Sequence, residues 1–191
     1  QLGLDTHSTG STIAFAMEAW QRGFLSKKDT DDLDLGWGNI DSVITLVEMI
    51  AYRRGFGDLL AEGSKLASKQ IKGSEVCLAE TKGLECSSYF PGPGERKATA
   101  LAFATAPIGG SLHFGRGLGS LKIKRILKEK TGADLIDHSD YKGQGLVVAT
   151  DNNFNAMLNS VEICTYACGV ERGLINEDDI AGLLSAASGF D

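Results

Sequence analysis

Asn39-Ile40-Asp41-Ser42-Val43-Ile44-Thr45-Leu46-Val47-Glu48-Met49-Ile50-Ala51-Tyr52-Arg53-Arg54-Gly55 reads as a complete helix from cap to stop. Asn39 is a residue type whose side chain satisfies the first free N–H groups of a helix. Ile40, Val43, Ile44, Val47, Ile50 and Ala51 recur at the three- and four-residue spacing of a helical face. Arg53 and Arg54 fall in the last turn, where cations meet the negative end of the helix dipole, and Gly55 supplies the stop.

The same logic extends outward. Upstream, Thr6 or Ser8 is the expected cap of a helix over 8–22. Its apolar residues Ile13, Phe15, Ala16, Met17, Ala19 and Trp20 cover most faces, which predicts a buried helix ending at Gly23. Ser26-Lys27-Lys28-Asp29 reads as a short capped turn, and 31–38 as an acidic, irregular stretch with a short strand at Leu33 and Leu35. Downstream, 56–68 reads as a helix broken at Gly63, and 73–88 as a short strand and turn. Tyr89-Phe90-Pro91-Gly92-Pro93-Gly94 is a loop, because proline lacks the backbone donor and fixes φ. An Ala-rich helix is expected over 99–106, ended by Pro107. A glycine-rich stretch follows over 108–120, then a basic helix over 121–130, a helix over 140–159, and a last one from the cap Asn176 to Ser188, stopped by Gly189. Strand signals are sparse, so the fold class is mainly α and multihelical.

A hydrophobic content of 42% over 191 residues supports a real core and argues against disorder. The net charge of -6 gives no bulk attraction for nucleic acid or anionic lipid, so neither is an expected partner. No apolar run approaches the roughly 18 residues that span a bilayer. Cys77, Cys86, Cys164 and Cys168 contain no CxxC pair, and a chain with its own core does not need a disulfide framework. The expected setting is reducing and cytoplasmic, with most of these thiols acting as small core residues.

Two short segments echo each other: Gln1-Leu2-Gly3-Leu4-Asp5 and Asn159-Ser160-Val161-Glu162-Ile163-Cys164. Each runs through a turn-capable or polar residue and a branched apolar residue to Asp or Cys. The first copy is cut at its start and no initiator Met is present, so the chain reads as a piece of a longer protein. The stretch from Gly115 to Gly119 is spaced GxGxG rather than GxGxxG, with no clear strand before it, and is not read as a dinucleotide loop. His113, within the glycine-rich stretch, is a candidate acid, base or ligand; His7 and His138 have no partner pattern. Cys164 and Cys168, four apart, supply half a metal site at most.

The paired segments resemble the DxxGLD and DxxGLC motifs of tungsten-containing aldehyde:ferredoxin oxidoreductases, which contact pterin and an iron–sulfur cluster. Other segments are similar in the same order: 54–63, Lys82-Gly83-Leu84-Glu85 with Tyr89 and Pro91 after it, and 183–189. The resemblance implies the helical second and third domains of that family, divided here as 1–95 and 96–191. It implies a tungsten (or molybdenum) bis-pterin and a 4Fe-4S cluster in the parent protein, held largely by a missing N-terminal pterin-binding domain. The implied reaction oxidises a small aldehyde to a carboxylic acid, with a ferredoxin-like carrier taking the electrons. Gly3, Leu4, Asp5 and Asn159 would contact the pterin, Cys164 would be the fourth cluster ligand, and His113 the proton-transfer group. A fragment of this kind is expected to be inactive alone. Two alternatives share the resemblance: a relative reducing an aromatic acyl thioester, and a non-catalytic helical scaffold or electron-transfer subunit. This chain departs from the family pattern at Asn159, in place of Asp, and at Glu162, in place of Gly. It also departs at Phe90 and Gly92, in place of Asp and Arg, and at Leu112, where the family has its His and this chain places His113 one residue later.

Overall fold

Asp5, rather than Thr6 or Ser8, caps the first helix. In a computed structural model, which describes residues 2–86, 97–109, 128–129, 132, 141–164 and 175–190, α1 spans Thr6–Gln21. It buries Thr12, Ile13, Phe15, Ala16, Met17 and Ala19, as its all-round apolar pattern predicts. The chain divides into two units, one comprising Gln1–Tyr89 with Ile108–Gly110 and the other Phe90–Pro107 with Ser111–Asp191.

In the first unit, Gly23 takes φ +79 and Phe24 N–H donates back to the Ala19 carbonyl, ending α1 in a left-handed turn. The Ser26–Asp29 capping box forms around a single 3-10 turn at Lys27–Asp29. No strand forms at Leu33 and Leu35. Asp31 and Asp32 both take positive φ, and the Thr30 hydroxyl donates to the Leu33 carbonyl at 2.8 Å, holding a compact irregular loop with Leu35 buried beneath it. Helix α2 (Ile40–Ala51) is capped by Asn39, whose side chain accepts from Ser42 N–H. Its buried stripe is Ser42, Leu46 and Ile50, while Ile40 and Ile44 are exposed. The buried stripe is thus rotated from the face the apolar spacing favours: Ile50 is buried and Val43 and Val47 pack against the core, but Ile40 and Ile44 do not. Close approach explains it: an ideal Cβ on Gly57 would lie 2.3 Å from the Met49 carbonyl carbon, so α3 (Phe56–Leu60) packs directly on the α2 backbone. Gly63, at φ +85, separates α3 from α4 (Ser64–Ser68), which is the expected break.

A 3-10 turn at Ser74–Cys77 leads into a minimal hairpin, β1 (Glu80–Thr81) antiparallel to β2 (Leu84–Glu85). Lys82 and Gly83 both have positive φ, the pairing that a tight primed turn requires. The core of this unit gathers residues from α1, α2, α3 and α4, with Leu25, Leu35 and Ile71 from the connecting segments.

In the second unit, α5 (Lys97–Thr105) and α6 (Gln144–Ser160) share a cluster of Ala98, Ala102, Val147 and Val148. Helix α7 (Glu177–Ser188) starts at the expected cap Asn176, which forms a capping box with Asp179, and ends at Gly189, φ +75. Its Ile180 packs against Leu158 near the end of α6, with Phe154, Met157, Val161, Ile163 and Ile175 around them. The architecture is mainly α, as expected. The loop at 89–94, the glycine-rich stretch from 110 with His113, and Cys168 lie outside the described residues, as does the expected basic helix apart from 128–129, which are helical. Among the described residues, no helix is long and apolar enough to cross a membrane.

Candidate functional site

Gly3 has φ +70, a left-handed conformation that glycine adopts without a side-chain penalty. Leu4 follows, half-buried against the first unit's core. That anchoring leaves Asp5 exposed at the mouth of α1. Its carboxylate accepts from His7 N–H at 3.1 Å on Oδ1 and from Ser8 N–H at 3.2 Å on Oδ2. The His7 N–H foremost, then the Ser8 hydroxyl and N–H, hold the Asp5 carboxyl below its ordinary value. Each oxygen keeps lone-pair capacity beyond these bonds. Asp5 can therefore cap α1 and still accept from a ring N–H or amino group outside the chain.

The second segment has the same design at the end of α6. Asn159 sits exposed in the last turn, and its carbonyl accepts from Glu162 N–H at 3.2 Å. Ile163 N–H reaches back to the Leu158 carbonyl at 3.0 Å. Glu162 takes φ +58. Ile163 is half-buried in the Leu158–Ile180 cluster, and Cys164 emerges exposed. The turn expected of a glycine at this position thus forms with glutamate in its place.

Burial separates the cysteines. Burial pushes the Cys77 thiol up. It does the same to Cys86, which lies 5% exposed with the Thr81 hydroxyl 3.4 Å from its sulfur. Both are suited to remain neutral core thiols. Cys164 alone among the described cysteines is exposed, as a thiolate ligand to an external group must be. Among the described residues no group of three or more His, Cys, Asp or Glu is placed to hold a metal.

Gly3, Leu4 and Asp5 belong to the first unit, and Asn159 and Cys164 to the second. His113 lies outside the described residues, but the glycine step before it is in part described. Gly109 takes φ +95, and an ideal Cβ there would fall 2.4 Å from the Thr81 carbonyl oxygen and 3.0 Å from Leu84 Cβ. This glycine lies directly on the β1–β2 hairpin.

The hairpin carries a group that the sequence reading passes over. Glu85 is 5% exposed, and its Oε1 accepts from Ser64 N–H at 3.0 Å, Ser64 Oγ at 3.0 Å and Thr12 Oγ1 at 3.3 Å. Burial pushes its carboxyl up, but the donors of Ser64, its own backbone N–H and Thr12 outweigh that and leave it below its ordinary value. One buried carboxylate thereby joins α1, α4 and β2. The signal was present in the sequence: an acid inside the Leu84-Glu85-Cys86 run, with small hydroxyl residues at Thr12 and Ser64.

The family model for aldehyde ferredoxin oxidoreductase, domains 2 and 3, matches residues 1–191. The tungsten-containing aldehyde ferredoxin oxidoreductase of Pyrococcus furiosus is 34% identical over 195 aligned residues, covering 100% of this chain and 30% of that protein. The protein of the same name from Thermococcus kodakarensis is 33% identical over 195 residues, with the same coverage. The WOR-like subunit of an aliphatic sulfonate oxidoreductase from Pyrococcus furiosus is 36% identical over 89 residues, covering 47% of this chain and 13% of that protein. The chain thus spans about 30% of the length of the aldehyde ferredoxin oxidoreductases it matches.

Proposed function

Because the chain belongs to the aldehyde ferredoxin oxidoreductase family, we propose that it forms domains 2 and 3 of an enzyme that oxidises an aldehyde to a carboxylic acid. We assign these domains to 1–95 and 96–191. The balanced reaction takes one aldehyde and one water to one carboxylic acid, two protons and two electrons. Two ferredoxin-type carriers accept one electron each. A tungsten bis-pterin would supply the two-electron chemistry when bound, and a 4Fe-4S cluster with Cys164 among its ligands would accept the electrons.

The residues of this chain have distinct roles in that scheme. Asp5 accepts from pterin ring N–H and amino groups, and its carboxylate, kept ionised by the α1 N–H groups, favours charge-assisted bonds. Gly3 and Leu4 set the turn and seat it. Asn159, at the end of α6, offers a neutral amide to the second pterin. Cys164 provides a thiolate to the cluster, presented by Ile163. His113 transfers the proton released as water adds to the aldehyde. The whole enzyme works in the cytoplasm.

The observation that carries this reading is the match between the two turns. Gly3 at φ +70 and Glu162 at φ +58 each precede a half-buried aliphatic residue and then an exposed ligand-type residue. Metal, iron and sulfide analysis of the full-length protein tests the reading. Tungsten or molybdenum together with iron is expected, and Cys164→Ser should lower the iron content. Absence of both metals would overturn the cofactor assignment. Turnover of small aldehydes, against none with aromatic acyl thioesters, is the expected substrate result.

A further inference from the structure

We propose that Glu85 is a positioning residue for the aldehyde oxidation proposed above: it holds the β1–β2 hairpin on which Gly109 is seated, four residues before His113 in sequence. The proposal rests on that reaction being the one the full-length protein performs. Thr81 and Leu84 are paired across the hairpin, and these are the two residues that Gly109 meets. Successive side chains of a strand point to opposite faces. Leu84 therefore meets Gly109, while Glu85, next along the strand, turns into the first unit. There its Oε1 takes the three donors of Ser64 and Thr12, so one atom ties the hairpin to both α4 and α1. An ideal Cβ on Gly63 would lie 3.2 Å from the same Oε1, so the backbone before α4 also closes on it. A second bond from α1, donated by Ser11 Oγ to the Cys86 carbonyl at 3.4 Å, holds the residue after Glu85.

A carboxylate is a poor choice for filling space. Burial penalises its charge, and an apolar side chain of similar size would fill the site without that cost. What the carboxylate adds is direction. A charged acceptor with three donors on one oxygen holds one register, where apolar packing tolerates small shifts. The other face of the hairpin needs that register. Gly109 is buried against the Thr81 carbonyl with no room for a methyl group, so a shift of the hairpin must displace Gly109. The segment that leaves Gly109 leads to the residue proposed for proton transfer, a step that depends steeply on distance and alignment. Glu85 touches no reacting atom in this scheme; it acts through the hairpin.

Kinetics and backbone amide exchange of the full-length protein test the proposal on Glu85→Gln and Thr12→Val. Ile50→Val, in the core on α2, is the control for lost stability. Turnover is counted per bound tungsten, so protein that fails to fold or to load drops out. Glu85→Gln should lower kcat about tenfold with the aldehyde KM within about twofold of wild type, since a misplacement of about 1 Å can cost about a hundredfold. Thr12→Val, which removes only the α1 donor, should lower kcat about threefold. Both should speed exchange of the Gly109 amide about tenfold, whereas Ile50→Val should leave kcat, KM and that exchange within about twofold of wild type. Unchanged kcat in Glu85→Gln overturns the proposal. So does a fall in kcat without faster exchange at Gly109, or the same fall in Ile50→Val. Wild-type protein that carries tungsten yet oxidises no aldehyde is a different failure: it removes the reaction, and with it the part given to Glu85, even where exchange shows that Glu85 holds the Gly109 seat.

Discussion

Gly109 lies against Thr81 so closely that an ideal Cβ on the glycine would fall 2.4 Å from the threonine carbonyl oxygen. Backbone, rather than the tip of a flexible side chain, is what the Cβ meets, so neither partner can step aside cheaply. The glycine also holds φ +95, which an L side chain rarely adopts.

Gly109→Ala should therefore destabilise the protein by about 2–4 kcal/mol, combining left-handed strain with overpacking. Denaturant unfolding measures this directly. An unchanged midpoint would mean that the segment does not lie on the hairpin as described.

Glu162 is the reverse case, a side chain where glycine is the natural choice. Relief of left-handed strain outweighs the extra chain entropy that glycine loses on folding, so Glu162→Gly should stabilise by about 0.5 kcal/mol. Glu162→Val should destabilise by more than about 1 kcal/mol, because a β-branched residue tolerates positive φ least. Thermal midpoints in the order Gly, Glu, Val are the expected result. Any other order contradicts the left-handed turn.

These two glycine-type positions show what sequence can and cannot reveal. Caps are legible because they are local chemistry: Asn39, the Asn176–Asp179 box and the break at Gly63 all stand where residue type alone puts them. The buried face of α2 is not local. Six apolar residues mark one stripe of that helix, and the shift of burial toward Ser42, Leu46 and Ile50 and away from Ile40 and Ile44 depends on where Gly57 lets α3 approach Met49. Leu33 and Leu35 alternate as a strand would, but Asp31 and Asp32 turn left-handed just before them, and among the described residues no strand pairs with them. The candidate site divides in the same way. Asp5 and Cys164 are legible as a repeated pattern, whereas the burial of Glu85 depends on Thr12 and Ser64, 73 and 21 residues away in sequence.

Glu85 makes stability depend on acid. Its carboxyl is held below the ordinary 4.5 because the donors of Ser64, its own N–H and Thr12 outweigh burial. A lowered folded-state value means that the stabilisation is complete above the unfolded-state value and is lost as pH falls through the folded one. Wild-type stability should accordingly fall below about pH 4.5, and Glu85→Gln should flatten that part of the acid limb. At neutral pH the same variant should cost about 1–3 kcal/mol, since a neutral amide accepts these bonds less strongly and buries donors of its own. Unfolding curves of both proteins from pH 3 to 7 check the sign; an equally steep acid limb in Glu85→Gln would remove Glu85 as its source.

Asp5 carries two tasks that substitution can separate. It accepts from His7 and Ser8 N–H groups as the cap of α1, and it is the carboxylate proposed above to contact the pterin. Asparagine caps a helix about as well as aspartate, whereas alanine loses about 1 kcal/mol at such a position. Asp5→Asn should therefore fold with near wild-type stability, while Asp5→Ala unfolds at lower denaturant. In the full-length protein both variants should lose tungsten and pterin relative to wild type, because neither supplies the charge that strengthens bonds from the pterin N–H groups. Cofactor content that tracks stability, normal in Asp5→Asn and reduced in Asp5→Ala, would assign Asp5 to the helix alone. Cofactor loss in Asp5→Asn without loss of stability would place the carboxylate's charge on the cofactor, since the cap it also forms is preserved.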